Sequence, residues 1–177
     1  KLFQNEENFD KEFNPNFKIK FSKNLNEIKS NSLTNNIGKI NYNGKLKTSS
    51  KFKYSKIDNF DKFEPEMIFD KKNIIFFDNK GTLLKFDQFS KLIWKKNYYN
   101  KGEKKIKPLL NLANYKNYLI ITDNLGKYYA IDINNGNLLW LKQNTAPFNS
   151  QVKIYGDKFY TVDFDNVLRC YSLKNGN

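Results

Sequence analysis

Beyond residue 60 the apolar positions come in short runs separated by Asn, Asp, Gly and Lys, with no helical spacing sustained over a turn or two. Three of these runs have the same layout: "NIIFFDN" (73–79), "NYLIITDN" (117–124) and "KFYTVDF" (158–164). Each carries an Asp near its end, at Asp78, Asp123 and Asp163. Three residues further on stands Gly81, Gly126 or Asn166, residue types that tolerate a positive φ, so a tight hairpin turn is predicted there. The next run, "TLLKFD", "KYYAID" or "VLRCYS", closes nine residues past the first Asp, at Asp87, Asp132 and Ser172. A second turn follows ("QFSK", "NNGN", "KNGN"), with Gly136 and Gly176 in the last two copies. A further run, "LIWKKN" or "LLWLKQ", then places Trp94 and Trp140 at matching positions, and the third copy has no such run.

Each copy is preceded by a proline just before another apolar stretch, at Pro65, Pro108 and Pro147. Each unit therefore reads as four short strands joined by tight turns, an antiparallel meander. Gly81 and Gly126 are 45 residues apart, Trp94 and Trp140 46, and Gly136 and Gly176 40, spacings in the range of repeat architectures. The middle strands are apolar at successive positions, as in Ile74 to Phe77 and Leu119 to Ile121, which predicts sheets covered on both faces. Face-on-face stacking achieves this, radially in a propeller or linearly in a solenoid, and four strands per unit favour the propeller. The expected fold is all-β: a propeller of four-stranded blades over 61–177, with two full blades and a partial third. The prolines are expected at the first residue of a strand, where no ladder donor is needed. Trp94 and Trp140 are expected to pack between blades. Cys170, in the place of Ala130, is expected to be a small buried apolar residue.

The first sixty residues do not fit this unit. Residues 1–16 are polar and of mixed charge, the pattern of a flexible leader. Residues 17–60 hold an alternating strand, Phe17 to Leu25, and a hairpin from Lys39 to Ile57 that turns at Asn43-Gly44. In a ring, the lone strand has a use: it completes the last blade and latches the circle. Two full blades, part of a third and a spare strand do not close a propeller of four or more blades. The expectation is a fragment of a longer chain, or else a ring completed by another chain. A strand beyond Asn177 would supply the missing outer strand.

Composition narrows the chemistry. With 31 basic and 18 acidic residues the net charge is +13, which suits a nucleic acid, an anionic membrane surface or an acidic partner. The joint excess of Lys, Asn, Ile, Phe and Tyr equally suits a genome poor in G and C. The lysines are scattered, with short clusters such as Gly102 to Lys107 and no single basic stripe. The absence of His removes Ser-His and Cys-His nucleophilic catalysis and nearly all zinc sites. A single Cys excludes an internal disulfide, and no apolar run approaches the roughly 18 residues of a membrane helix. Because it starts at Lys1, the chain is expected to be processed or trimmed. Asp132 and Asn134 in "DINNGN" lack the further ligands and closing Glu of a calcium loop and read as turn formers. No catalytic, cofactor-binding or metal-binding residue is singled out.

The stretches Asp123 to Trp140 and Asp78 to Trp94 resemble the repeat of quinoprotein-like (PQQ-type) propellers: a Gly turn, an "ALD"-like strand, a second turn and a Trp. Within that superfamily, the order of leader, lone strand and first blade at Glu64 to Asp87 is most similar to the BamB family of lipoprotein scaffolds. The hairpin from Lys39 to Ile57 is longer than that family's pattern. The resemblance implies a non-catalytic envelope scaffold without cofactor, periplasmic and associated with the outer membrane. Its partner would be the outer-membrane β-barrel assembly machinery, with no nucleic acid bound and an N-terminal lipid anchor as the only membrane contact. The family's partner contacts fall in later blades, so no partner-binding residue is carried over. The alternatives are a fragment of a PQQ-dependent dehydrogenase, with quinone and Ca²⁺ in the channel, and a basic polyanion-binding propeller.

Overall fold

The computed structural model describes residues 50–51 and 67–177. The leader at 1–16, the strand Phe17 to Leu25, Pro65 and all of the Lys39–Ile57 hairpin except Ser50 and Lys51 lie outside the described residues.

Among the described residues, three antiparallel sheets follow one another along the chain. The first joins β1 (Ile68–Asp70), β2 (Asn73–Phe77), β3 (Leu83–Phe86) and β4 (Leu92–Lys96) in sequence order. A short helix, α1 (Lys101–Ile106), leads to the second sheet: β5 (Leu110–Tyr115), β6 (Tyr118–Asp123), β7 (Lys127–Asp132) and β8 (Leu138–Gln143). The third has β9 (Lys153–Tyr155), β10 (Lys158–Val162) and β11 (Leu168–Ser172). The register repeats from blade to blade: Phe76 pairs with Leu84, Ile121 with Tyr129 and Thr161 with Arg169.

Strand alternation sorts these residues into layers. Ile75, Phe77, Leu83 and Trp94 of blade 1 meet Leu119, Ile121, Tyr129 and Ile131 of blade 2 in one buried cluster. The opposite face of blade 2, with Ile120, Tyr128 and Ala130, meets Phe148, Ile154 and Phe159 of blade 3 in a second. Phe76, Leu84 and Phe86 form a third cluster on the other face of blade 1, with Phe76 and Phe86 stacked 5.8 Å apart. Both middle strands of blades 1 and 2 are thus covered on two sides, as their unbroken apolar runs require.

Blade 3 departs from that rule. The face it turns away from blade 2 leaves Leu168 67% exposed and Cys170 exposed as well. The expectation that Cys170 is buried is therefore corrected: it takes the place of Ala130, but among the described residues no sheet covers that face. The prolines also differ from expectation. Pro108 stands two residues before β5, and Pro147 lies well ahead of β9, where its carbonyl accepts from the amide of Phe164 at 2.9 Å.

The helix explains the unequal repeat lengths. Trp94 and Asp123 are 29 residues apart, Trp140 and Asp163 only 23, and the difference equals the six residues of α1. Asn100 caps this helix by accepting from the Glu103 amide at 2.9 Å, while Glu103 accepts from the Asn100 amide at 2.8 Å. Lys107 ends it in the left-handed region at φ 58°.

Candidate functional site

The repeated Asp is the residue that builds each β-turn between middle strands. Its Oδ1 accepts from two backbone amides, Lys80 and Thr82 at Asp78 (2.9 and 2.9 Å) and Leu125 and Lys127 at Asp123 (2.8 and 2.8 Å). Asp163 holds Asp165 and Val167 in the same way, at 3.1 and 3.0 Å. All three carboxylates are buried, and the turn closes through Gly81, Gly126 or Asn166 at φ 69°, 81° and 60°. The second turn is organised alike by Asp87, Asp132 and Ser172, with Gly136 and Gly176 at φ 72° and 69°. Asp132 is thus a turn former, and its Oδ1 accepts from the Asn134 amide at 2.7 Å.

The two tryptophans join the blades. The Trp94 indole Nε1 donates to the carbonyl of Ile133 in blade 2 at 3.2 Å, and that of Trp140 donates to Leu173 in blade 3 at 2.9 Å. Each ring lies under the second-turn glycine of the following blade. A Cβ on Gly136 would stand 3.0 Å from Trp94, and one on Gly176 2.7 Å from Trp140. Glycine serves there for two reasons, a positive φ and a ring with no room above it. Gly81, Trp94, Gly126, Gly136, Trp140, Asn166 and Gly176 thus occupy repeated places in turns and junctions.

Around this common joint the two junctions differ. Between blades 1 and 2, Lys85 is 3% exposed, and its Nζ reaches Asp70 at 2.6 Å and the Ile133 carbonyl at 2.9 Å. Tyr99 fills the space beneath Gly81, and its hydroxyl donates to Asp123 Oδ2 at 2.6 Å. Lys127 completes this node, with Nζ 2.6 Å from Glu103 of α1 and 4.6 Å from the centre of the Tyr99 ring. Burial raises the Asp123 carboxyl above the usual range, although the Tyr99 hydroxyl, two turn amides and Lys127 oppose it. Burial also raises the Tyr99 hydroxyl well above its ordinary value, and the neighbouring Tyr129 and Asp123 add to this. At Glu103, burial is outweighed by the hydrogen bond from Lys127 and the Asn100 amide, so the carboxyl falls below its usual value.

Between blades 2 and 3 the filling is aromatic. Tyr128 stacks on Tyr171 at 4.6 Å, and Trp140 on Phe159 at 6.1 Å. Asn144 and Arg169 take the role of Tyr99, reaching Asp163 Oδ2 at 3.2 and 2.8 Å. Burial would raise the Asp163 carboxyl, but Arg169, the Val167 amide and Asn144 bring it below the usual range.

Topology also gathers lysines that are scattered in sequence. A surface cleft of about 520 Å³ is lined by Lys80, Thr82, Lys95, Lys96, Asn97 and Lys104. Asn97 shapes it: Nδ2 donates to the Lys80 carbonyl and to Thr82 Oγ1 at 2.9 and 3.0 Å. Sequence reading missed this cleft because its members come from a turn, a strand end and a helix that are not adjacent in the chain. It also missed α1, whose signal was the Asn100-x-x-Glu103 box followed by Pro108. Among the described residues, no group of three or more His, Cys, Asp or Glu is arranged to hold a metal, and no helix is long and apolar enough to span a membrane.

Comparisons with known proteins bear on the fold. No family model matches the chain, and no curated protein matches it in sequence. Solved structures do resemble it. BamB from Moraxella catarrhalis superposes with a TM-score of 0.52 at 14% identity, over 63% of this chain and 32% of that one. A europium-containing methanol dehydrogenase gives 0.53 at 14% identity, over 63% and 23%. Both are β-propellers. This chain has the β-propeller fold. The computationally designed Ika4 protein gives 0.54 at 11% identity, over 70% of this chain and 74% of that one. The chain spans about a third of the length of the BamB structure and under a quarter of the methanol dehydrogenase.

Proposed function

We propose that the chain is part of a non-catalytic propeller scaffold of the bacterial cell envelope, periplasmic and held at the outer membrane, that assists assembly of β-barrel proteins there. One observation carries the non-catalytic part: the three buried repeat carboxylates are each committed to holding turn amides, and the faces between blades are filled by packed side chains. The envelope role draws support from the order of leader, lone strand and blades in the sequence. The likeness to BamB supports it through the fold alone. The partner in this reading is a protein, and any membrane contact is an N-terminal lipid anchor. Affinity capture on the tagged chain from native membranes tests it. Recovery of a β-barrel assembly protein is expected, and recovery of soluble cytosolic proteins alone contradicts it.

A second reading, a piece of a PQQ-dependent dehydrogenase, has the fold likeness to methanol dehydrogenase in its favour. Reconstitution of the full-length product with PQQ and Ca²⁺ decides between the two. Dye reduction above blank supports the enzyme, and none supports the scaffold.

A further inference from the structure

The four lysines of the cleft have no internal counter-charge among the described residues. Lys80 comes from the β2–β3 turn, Lys95 and Lys96 from the end of β4, and Lys104 from α1. Among the described residues none of the four is in an ion pair; Lys96 Nζ donates to the neutral Asn137 side chain at 3.1 Å. The nearest acid on the helix, Glu103, is turned inward to Lys127, and Asp78 is spent on its turn. Four like charges in one concavity repel one another, and an anionic ligand relieves that repulsion.

Among the described residues, the cleft also lies beside an open strand edge. β4 is the outer strand of blade 1 and, among the described residues, pairs on one side only, with β3. Leu92 and Ile93 on it are each 45% exposed. An unpaired edge offers amides and carbonyls in a row, which a peptide backbone can match and a lipid headgroup or a nucleic acid cannot. Among the described residues, the lining contains no aromatic ring on which a base would stack, the usual platform for single-stranded nucleic acid. Lysine ammonium groups are point charges on long stems, suited to flexible carboxylates rather than to a planar, bidentate group.

We propose that this cleft receives an acidic, extended segment of a protein partner, lying along β4 with carboxylates from both of its faces directed to Lys80, Lys95, Lys96 and Lys104. This assigns a chemistry to the partner and rests on the scaffold reading. Lys104 gives the site its individuality, because α1 has no counterpart between blades 2 and 3.

The test is fluorescence anisotropy with the full chain and a labelled twelve-residue peptide of Thr-Glu-Glu repeats. Saturable binding is expected, weakened at least tenfold in the K80Q/K95Q/K96Q/K104Q variant. It should be unchanged in K72Q/K153Q/K158Q/K174Q, which loses the same net charge elsewhere on the surface. N-methylation of alternate peptide bonds should also weaken binding. Equal losses in the two quadruple variants, or no binding at all, overturn the proposal. So does tighter binding of oligo-dT or phosphatidylglycerol vesicles through the same four lysines. The membrane capture experiment fails or succeeds independently: peptide binding without capture removes the envelope role and leaves the cleft, and the reverse removes only the cleft.

Discussion

The junction between blades 1 and 2 and the junction between blades 2 and 3 share one joint and little else. In both, an outer-strand Trp donates to a carbonyl of the next blade and lies under its second-turn glycine. The first junction adds a buried Lys85–Asp70 pair and the Tyr99–Asp123–Lys127–Glu103 node; the second adds stacked aromatics. The shared joint is what the repeat preserves. The rest is local filling, which answers only to shape and to the need to satisfy each buried polar atom.

Substitutions separate the joint from the filling. The largest effect is expected at Trp94→Ala, which empties a site only 7% exposed and should cost about 3–5 kcal/mol, the usual cost of removing a buried aromatic. Trp140 is half-buried, so Trp140→Ala should cost less; urea titration of both variants ranks them. If Trp140→Ala is the more damaging, blade 3 is anchored more firmly than the geometry indicates.

Next come the glycines. Gly126 and Gly156 both have positive φ, but a Cβ on Gly126 would stand 2.8 Å from the Asn144 carbonyl, while nothing lies within 4 Å at Gly156. Gly156→Ala should therefore show the backbone term alone, about 1–2 kcal/mol, and Gly126→Ala distinctly more. Equal melting-temperature losses would mean that the close approach at Gly126 is relieved at no cost. Tyr99→Phe leaves Asp123 Oδ2 without its donor and should cost about 1–3 kcal/mol, with little change in volume.

The equivalent Asp123 and Asp163 differ in sign. The folded Asp123 carboxyl lies above its ordinary value, so its charge costs stability at neutral pH, and acidification through that raised value restores it. The folded Asp163 carboxyl lies below its ordinary value, so its contribution is present above that value and is lost as pH falls through the lowered one. In a pH series of unfolding midpoints, Asp123→Asn should remove the gain on mild acidification, and Asp163→Asn should remove part of the loss at the acid end. Identical profiles for the two variants would show that the two turns are electrostatically equivalent.

Turn chemistry made most of this fold legible. Asp78-x-x-Gly81 and its two copies report a local geometry that needs no knowledge of distant contacts, and Trp94 and Trp140 follow Asp78 and Asp123 after 16 and 17 residues. Cys170 is exposed against expectation because burial depends on what covers a face, which a residue type does not encode. Lys85 sits in a run that reads as apolar, and only the fold brings Asp70 and the Ile133 carbonyl to it. The lysine cleft was hidden for the same reason: Lys80, Lys95 and Lys104 become neighbours only once the turn, the strand and α1 are in place.

The central claim is that each tryptophan locks its blade to the next by donating to a carbonyl across the junction. Hydrogen exchange of the two indole Nε1 protons, followed by ¹⁵N-resolved NMR, tests this most directly. Both should exchange far more slowly than free indole, and Trp94, at the more buried junction, more slowly than Trp140. Exchange of both at the free rate would contradict the account.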